Sequence, residues 1–278
     1  MIVVVTGAAG QLGQDVVINL EKSNHVVYGA NRETLDITNE DNVKQYIANI
    51  KPDVIIHCAA YTNVDKAEEE PDVAYEINAL GSKYLAEAAS SVGAKMLYVS
   101  TDYVFDGSAN EPYEVNHPTN PLGVYGNTKL AGEKFVAGTL EEHFIIRTAW
   151  VYGTKGNNFV KTMIRLGAER GQVGVVSDQI GSPTYTVDLA NFLIELMVTD
   201  KYGIYHATNG GECSWYDFAK EIFRQADLQV IVNPLTTEQF PRPAKRPSYS
   251  VLSKQRIESE GLKPLRHWTE GLTAYFNE

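Results

Sequence analysis

Two pairs of residues in this sequence have the spacing of a tuned proton donor. Tyr125 precedes Lys129 in "VYGNTKLAGEKF", and Tyr216 precedes Lys220 in "YDFAKEI". Residues four apart are neighbours on a helix surface, and a cation beside a phenol favours the ionised form, lowering a pKa that is ordinarily about 10. Such a phenol is suited to general acid catalysis, giving a proton to an oxygen on which charge develops. In a chain with 16 tyrosines the spacing recurs by chance, so the surrounding residues must choose. The apolar run "KMLYVST" upstream of Tyr125 ends in Ser100 and Thr101, and a strand ending there opens onto the same crevice as the helix that follows. Thr101, Tyr125 and Lys129 are therefore the candidate catalytic set. Tyr216 falls in the C-terminal third, away from such a strand end, and reads as core packing.

These groups need a co-reactant, and the first turn of the chain offers a place for one. Directly after the run "IVVVT" comes "TGAAGQLGQDVV", with Gly7, Gly10 and Gly13 spaced GxxGxxG at the entry to a helix. In that context the glycines permit a tight turn and close backbone approach, and the helix N–H groups point at an anion. Gly7, Gly10, Gln11, Leu12 and Gly13 are candidate contacts for a dinucleotide pyrophosphate. At the end of the second strand an acid normally meets the adenosine ribose. Here "GANRETLDI" offers Asn31 and Arg32 with no carboxylate before Glu33, and a guanidinium pairs well with a 2′-phosphate. NADPH is therefore expected over NADH. Asp36 and Ile37 are placed to flank the adenine, and the small residues Ala59 and Ala60, followed by Tyr61, to let backbone approach the cofactor.

The elements that would hold these residues follow from periodicity. Short β-branched runs at 2–6, 25–30, 53–60, 95–101 and 143–150 alternate with amphipathic stretches. Continuous apolar strands joined by helices imply an α/β fold, a doubly wound parallel sheet of Rossmann type. The expected nucleotide-binding domain is 1–153, its last strand and helix open to supply from 154–210. Residues 154–278 are then mainly a smaller C-terminal substrate-binding lobe, with helices near 157–170, 187–198 and 214–226, strands near 173–177 and 203–207, and a proline-rich loop "FPRPAKRP".

Composition narrows the partners. A net charge of −11 without a block of five like charges argues against nucleic acid or an anionic membrane. Cys58 and Cys213 stand far apart in sequence and the six histidines show no metal-ligand spacing, so a reducing, cytoplasmic setting and no metal are expected. No apolar run reaches the length of a membrane span, and the N-terminal stretch has no signal-peptide pattern.

Taken together, TGxxGxxG, the alanine-bearing turn, the Ser/Thr strand end and YxxxK resemble an extended short-chain dehydrogenase/reductase. Within that superfamily "STDYVFDG", "YGNTKLAGE", "RTAWVYG", "GNNFVKTM" and "DQIGSPT" resemble the dTDP-4-dehydrorhamnose reductases over most of residues 1–185, with an echo in "RPSYSVLS". The resemblance implies reduction of the C4 ketone of dTDP-4-dehydro-L-rhamnose by NADPH or NADH, with Tyr125 as proton donor and Lys129 holding the nicotinamide ribose. It also implies that Thr101 and Asp102 contact the sugar, that Trp150 covers it, and that Thr62 and Val64 line the same crevice. Asn158 in "GNNF" and Gln179 in "DQIGSPT" would help hold the nucleotide, and Arg246 its diphosphate, with Arg242 and Lys245 as competitors. Asn78 matches a structural asparagine of the superfamily, or simply bonds to backbone.

Some members of the family resemble metal-bridged dimers built on acidic residues. Here Asp15 is acidic but Val187 stands where a second acid would be wanted; a homodimer is possible and a metal is not expected. Rival readings on the same fold are a sugar-nucleotide epimerase, a dehydratase, and a non-catalytic regulatory subunit. A dehydratase resembles a Thr-Asp-Glu run, where this chain has Thr101, Asp102 and Tyr103.

Overall fold

The computed structural model describes residues 1–278. Its first half builds a parallel sheet from β1 (Ile2–Thr6), β2 (Val26–Ala30), β3 (Val54–His57), β4 (Lys95–Thr101) and β5 (His143–Thr148). The apolar runs of β1, β3, β4 and β5 are buried because helices cover both faces of the sheet, whereas β2, at the edge, leaves Val26 and Tyr28 exposed. The covering helices are α1 (Gln11–Glu21), α2 (Glu40–Ile50), the short α3 (Val64–Glu69) and α4 (Pro71–Tyr75), α5 (Gly81–Val92) and α6 (Val124–Thr139). A π-helical turn, Glu76–Leu80, joins α4 to α5.

The second half runs β6 (Val151–Tyr152), α7 (Phe159–Arg170), β7 (Gln172–Val176), β8 (Ile180–Gly181), β9 (Thr184–Tyr185), α8 (Thr186–Met197) and β10 (Gly203–His206). It ends with β11 (Cys213–Ser214), α9 (Trp215–Gln225), β12 (Ile231–Leu235), α10 (Gln255–Ser259) and α11 (Trp268–Phe276). Strand β10 pairs in parallel with β5 and completes a six-stranded sheet in the order β10-β5-β4-β3-β1-β2. Helix α8 shares a core with α1 on one face of this sheet: Leu12, Val16 and Leu20 meet Leu189, Leu193 and Leu196. The opposite face carries α2, α5 and α6 around Val43, Leu85, Tyr98 and Val136. So the chain leaves the six-stranded sheet after β5 and returns to it with α8 and β10.

The rest packs as a separate core of α7, α9 and α11, with Phe218, Phe223 and Trp268 at its centre. Strand β12 was not foreseen from the sequence, because Pro234 breaks its pattern. It pairs in parallel with β7 in a two-stranded sheet, where a missing N–H is tolerated at an edge.

The order of strands decides where a ligand fits. The chain moves outward from β1 to β2, then crosses back to β3 on the other side of β1, leaving a crevice beyond the carboxyl ends of β1 and β3. The loops after these strands nearly touch: a Cβ on Gly7, whose φ is +67°, would lie 2.6 Å from the Ala59 nitrogen. Helix α6 is seated equally tightly. A Cβ on Gly132 would lie 2.3 Å from the Tyr98 hydroxyl and 2.5 Å from the Asn78 carbonyl oxygen.

Gly132→Ala therefore tests the seating of α6. Alanine favours a helix interior over glycine by about 1 kcal/mol, yet overpacking costs about 1–3 kcal/mol. The variant is expected to unfold at lower urea concentration than the parent.

Candidate active site

Two cavities open beyond the carboxyl ends of the sheet. One, of about 960 Å³, runs from the glycine turn past Arg32, Ala59 and Thr101 to Trp150. The other, of about 810 Å³, lies between α7, β7 and the 240–247 loop, with apolar walls and Arg170, Arg242, Lys245 and Arg246 among its lining residues. They share Val64 and Tyr103 as a common wall.

The first cavity has the shape and chemistry a dinucleotide needs. Gly10 N–H donates to the Gly7 carbonyl at 2.8 Å, closing a tight turn, and a Cβ on Gly13 would lie 2.2 Å from that same carbonyl oxygen. Gly10 caps α1 without a side chain, and the first turn holds no acid, so its N–H groups remain available to an anion. Gln11, Leu12, Ala60, Tyr61, Thr62 and Ile37 line the same space. Arg32 is exposed at the tip of β2 and takes part in no ion pair. Asn31 accepts from the N–H groups of Glu33 and Thr34, and the Asp36 carboxylate accepts from Thr38, so both side chains also shape their own turns. These residues fit an NADP-type cofactor.

Thr101, Tyr125 and Lys129 converge on the floor of that cavity. Thr101 ends β4, Tyr125 stands in the first turn of α6, and Lys129 lies one turn further along. Lys129 is 2% exposed; its Nζ donates to the Val99 carbonyl at 2.8 Å and sits 4.1 Å from the centre of the Tyr98 ring. Burial pushes this lysine down to about 7, against the pull of Glu133. The Tyr125 phenol is pushed up to about 12, chiefly by burial, with the Thr101 hydroxyl opposing and Asp102 adding to the rise. The sequence led us to expect a phenol acidified by Lys129. In the structure the ammonium is spent on Val99 and Tyr98, and desolvation decides the direction.

Asp102 is the second unusual acid. It is 2% exposed, its Oδ1 accepts from the Thr101 hydroxyl at 3.0 Å, and Oδ2 is buried without a partner. Burial raises it to about 6. The Ser250 and Thr101 hydroxyls oppose that rise, and a buried oxygen left without a close partner is costly.

Other expected residues divide between the cavities. Gln179 and Arg246 line the apolar one, Val64 lines both, and Gln179 donates to the Thr237 hydroxyl at 3.0 Å. Arg246 reaches Asp65 at 2.9 Å through Nη2, while its Nη1 is buried with no partner. Arg242 is 3.7 Å from Asp65. Trp150 is held at a positive φ of 49° at the end of β5 and stacks on Trp215 with ring centres 3.5 Å apart. Strain of that kind is retained where the surroundings over-determine it, commonly at functional sites.

Asn158 lines neither cavity. Its Oδ1 caps α7 and its amide donates to Gln11 and to the Gly153 carbonyl, each at 2.7 Å, so its hydrogen-bonding capacity goes to the loop itself. Its neighbours Gly156 and Asn157 face the cofactor cavity instead. Asn78 ties the site together: its Oδ1 accepts from Tyr61 N–H at 2.8 Å and its amide donates to the Thr128 hydroxyl at 3.0 Å. It thereby links the turn after β3 to α6.

Sequence reasoning missed Tyr103 as a site residue, although its ring packs edge-on against Tyr125 with centres 5.5 Å apart. It missed Trp215, which faces the second cavity from α9. Neither carries a motif; only their neighbours in space give them a role.

Comparison with known proteins agrees with this architecture. The family model described as the RmlD substrate binding domain matches residues 1–278. A crystal structure of dTDP-4-dehydrorhamnose reductase from Bacillus anthracis, in complex with NADP, is 48% identical with a TM-score of 0.98, covering 99% of this chain and 98% of that one. A reductase of the same name from Clostridium acetobutylicum is 50% identical, also with a TM-score of 0.98, over 100% of this chain and 99% of that one. The curated dTDP-4-dehydrorhamnose reductase of Streptomyces griseus is 46% identical over 98% of this chain and 92% of its own length. A match along the whole chain, with the glycine turn and the Thr-Tyr-Lys set at one cavity, makes this protein a member of the RmlD family, that of the dTDP-4-dehydrorhamnose reductases.

Proposed function

We propose that this protein reduces the C4 ketone of dTDP-4-dehydro-L-rhamnose to dTDP-L-rhamnose, using NADPH. The observation that carries this reading is the convergence of Thr101, Tyr125 and Lys129 on a glycine-framed cavity that shares a wall with a second, apolar one. Bound NADPH supplies the hydride for the carbonyl carbon.

The chain's own residues supply the rest. The turn from Gly7 to Gly13 holds the pyrophosphate, Arg32 and Asn31 the adenosine ribose and its 2′-phosphate, and Asp36 and Ile37 the adenine. Ala59, Ala60 and Tyr61 let backbone close on the cofactor, and Lys129 holds the nicotinamide ribose. Tyr125 gives its proton to the C4 oxygen. Its phenol is pushed up to about 12 and so remains protonated at neutral pH, yet an alkoxide is the far stronger base. Thr101 hydrogen-bonds the reacting oxygen or the phenol. The ammonium of Lys129 then stabilises the phenolate left behind, an interaction strengthened by exclusion of water.

The sugar nucleotide lies across the shared wall. Thr62, Val64, Asp102 and Trp150 surround the sugar, and the carboxyl of Asp102 bonds to one of its hydroxyls. The nucleotide occupies the apolar cavity beside Gln179, and the guanidinium of Arg246, which lines that cavity, pairs with the diphosphate.

Consumption of NADPH in proportion to the 4-keto sugar nucleotide tests the reading; tightly retained cofactor and no net consumption would replace it with an epimerase. Tyr125→Phe should lower kcat by about 10²–10⁴-fold, the usual worth of a general acid, while NADPH affinity measured by fluorescence stays near that of the parent. Full turnover by this variant would remove Tyr125 as donor. Arg32→Ser should weaken NADPH binding by roughly tenfold or more, the value of hydrogen bonds to a charged group, and leave NADH binding nearly unchanged in parallel titrations.

A further inference from the structure

One turn beyond Lys129 on α6 stands Glu133, which neither the motif nor the proposed reaction uses. It is 3% exposed. The Ser100 hydroxyl donates to its Oε1 at 2.5 Å, while Arg147 donates through Nε to Oε1 at 3.0 Å and through Nη2 to Oε2 at 2.8 Å. Arg147 also donates to the Val115 carbonyl at 3.2 Å and lies 3.5 Å from His206. Ser100 and Arg147 face each other across β4 and β5, and the next pair in register is Thr101 with Thr148, both on the cofactor cavity. The carboxylate of α6 therefore grips the two strand ends immediately behind the reacting groups. A buried ion pair is a poor stabiliser compared with apolar packing, which makes its position here informative.

The surroundings of Lys129 indicate what the position serves. From β4 it meets the Tyr98 ring and the Val99 carbonyl. From β3 and the turn after it come His57 and Cys58, and from α6 itself Tyr125 and Glu133. Burial keeps His57 down at about 3 and Cys58 up at about 12, so both are neutral, as are Tyr98 and Tyr125. Glu133 is the one anion in this group, and it is the largest influence opposing the burial of Lys129.

We infer that Glu133 is a positioning residue for the reduction: through Ser100 and Arg147 it locks the ends of β4 and β5 to α6, and it sets a buried carboxylate one helical turn from Lys129 as the counter-charge of that lysine. The inference deepens the proposed function and rests on it. With the ammonium maintained, the phenolate formed at Tyr125 keeps its counter-charge; without it, Lys129 becomes an amine at lower pH.

Glu133→Gln keeps the shape and removes the charge. In the ligand-free variant, an NMR titration of Cε-labelled lysine should show Lys129 losing its proton at a pH lower by on the order of one unit or more. The alkaline limb of kcat/KM should move down with it. Because the single variant leaves Arg147 buried and unpaired, the double variant Glu133→Leu/Arg147→Met, which strands no charge, is measured alongside; a cation leaves with the anion, so it should displace the Lys129 titration in the same direction but by less. A folded variant in which Lys129 and the alkaline limb titrate as in the parent would overturn the inference and leave Glu133 a purely structural residue. The NMR readout needs no turnover, so absence of reductase activity in the parent would count against the proposed function without touching this result.

Discussion

Helix α6 lies on strand β4 at backbone distance because Gly132 presents no side chain to the Tyr98 hydroxyl and the Asn78 carbonyl. That hydroxyl, in turn, donates to the Lys129 carbonyl at 3.1 Å, and the Lys129 ammonium donates to Val99 on the same strand. Ser100 bonds to Glu133 one step further along. Each of these contacts requires the others, since every group involved is buried and would carry a desolvation cost if unpaired. The relative placement of Thr101, Tyr125 and Lys129 is a consequence of this seam.

Burial also governs the electrostatics of the site, in opposite senses for acids and bases. It holds Tyr125 and Asp102 above their ordinary values and Lys129 below its own, so three groups that would be well separated in water approach neutrality or protonation within one cavity. A protonated phenol, a poised lysine and an unpaired carboxylate oxygen are what a ketone, a ribose and a sugar hydroxyl would complete. Perturbation of this kind concentrates at functional sites.

The second cavity is assembled by pieces distant in the chain. Helix α7, strand β7 and the 240–247 loop surround it, and Asp65 at the start of α3 anchors the loop through Arg246, Arg242 and the Ala244 N–H. Trp150 and Trp215 stack where this lobe meets the end of β5. A Cβ on Gly181 would lie 2.6 Å from the Trp150 indole, so the "DQIGSPT" turn is shaped to admit that ring.

Local rules carry far in this sequence. The glycine turn, the strand periodicity and the YxxxK spacing act through neighbours within about one helical turn or one strand, and so the parallel sheet, its cofactor end and the pair Tyr125–Lys129 were legible directly. Interactions between distant segments leave no such trace. The strand through Pro234, the capping role of Asn158 and the Trp150–Trp215 stack depend on packing between residues tens of positions apart, and so does the return of α8 and β10 to the sheet, which the sequence left open as a supply from 154–210. The direction of the Tyr125 shift belongs with them. Spacing along a helix places a cation near a phenol, but how much water surrounds both, and which carbonyl the cation chooses, is decided only when the sheet, α6 and the loops close over them.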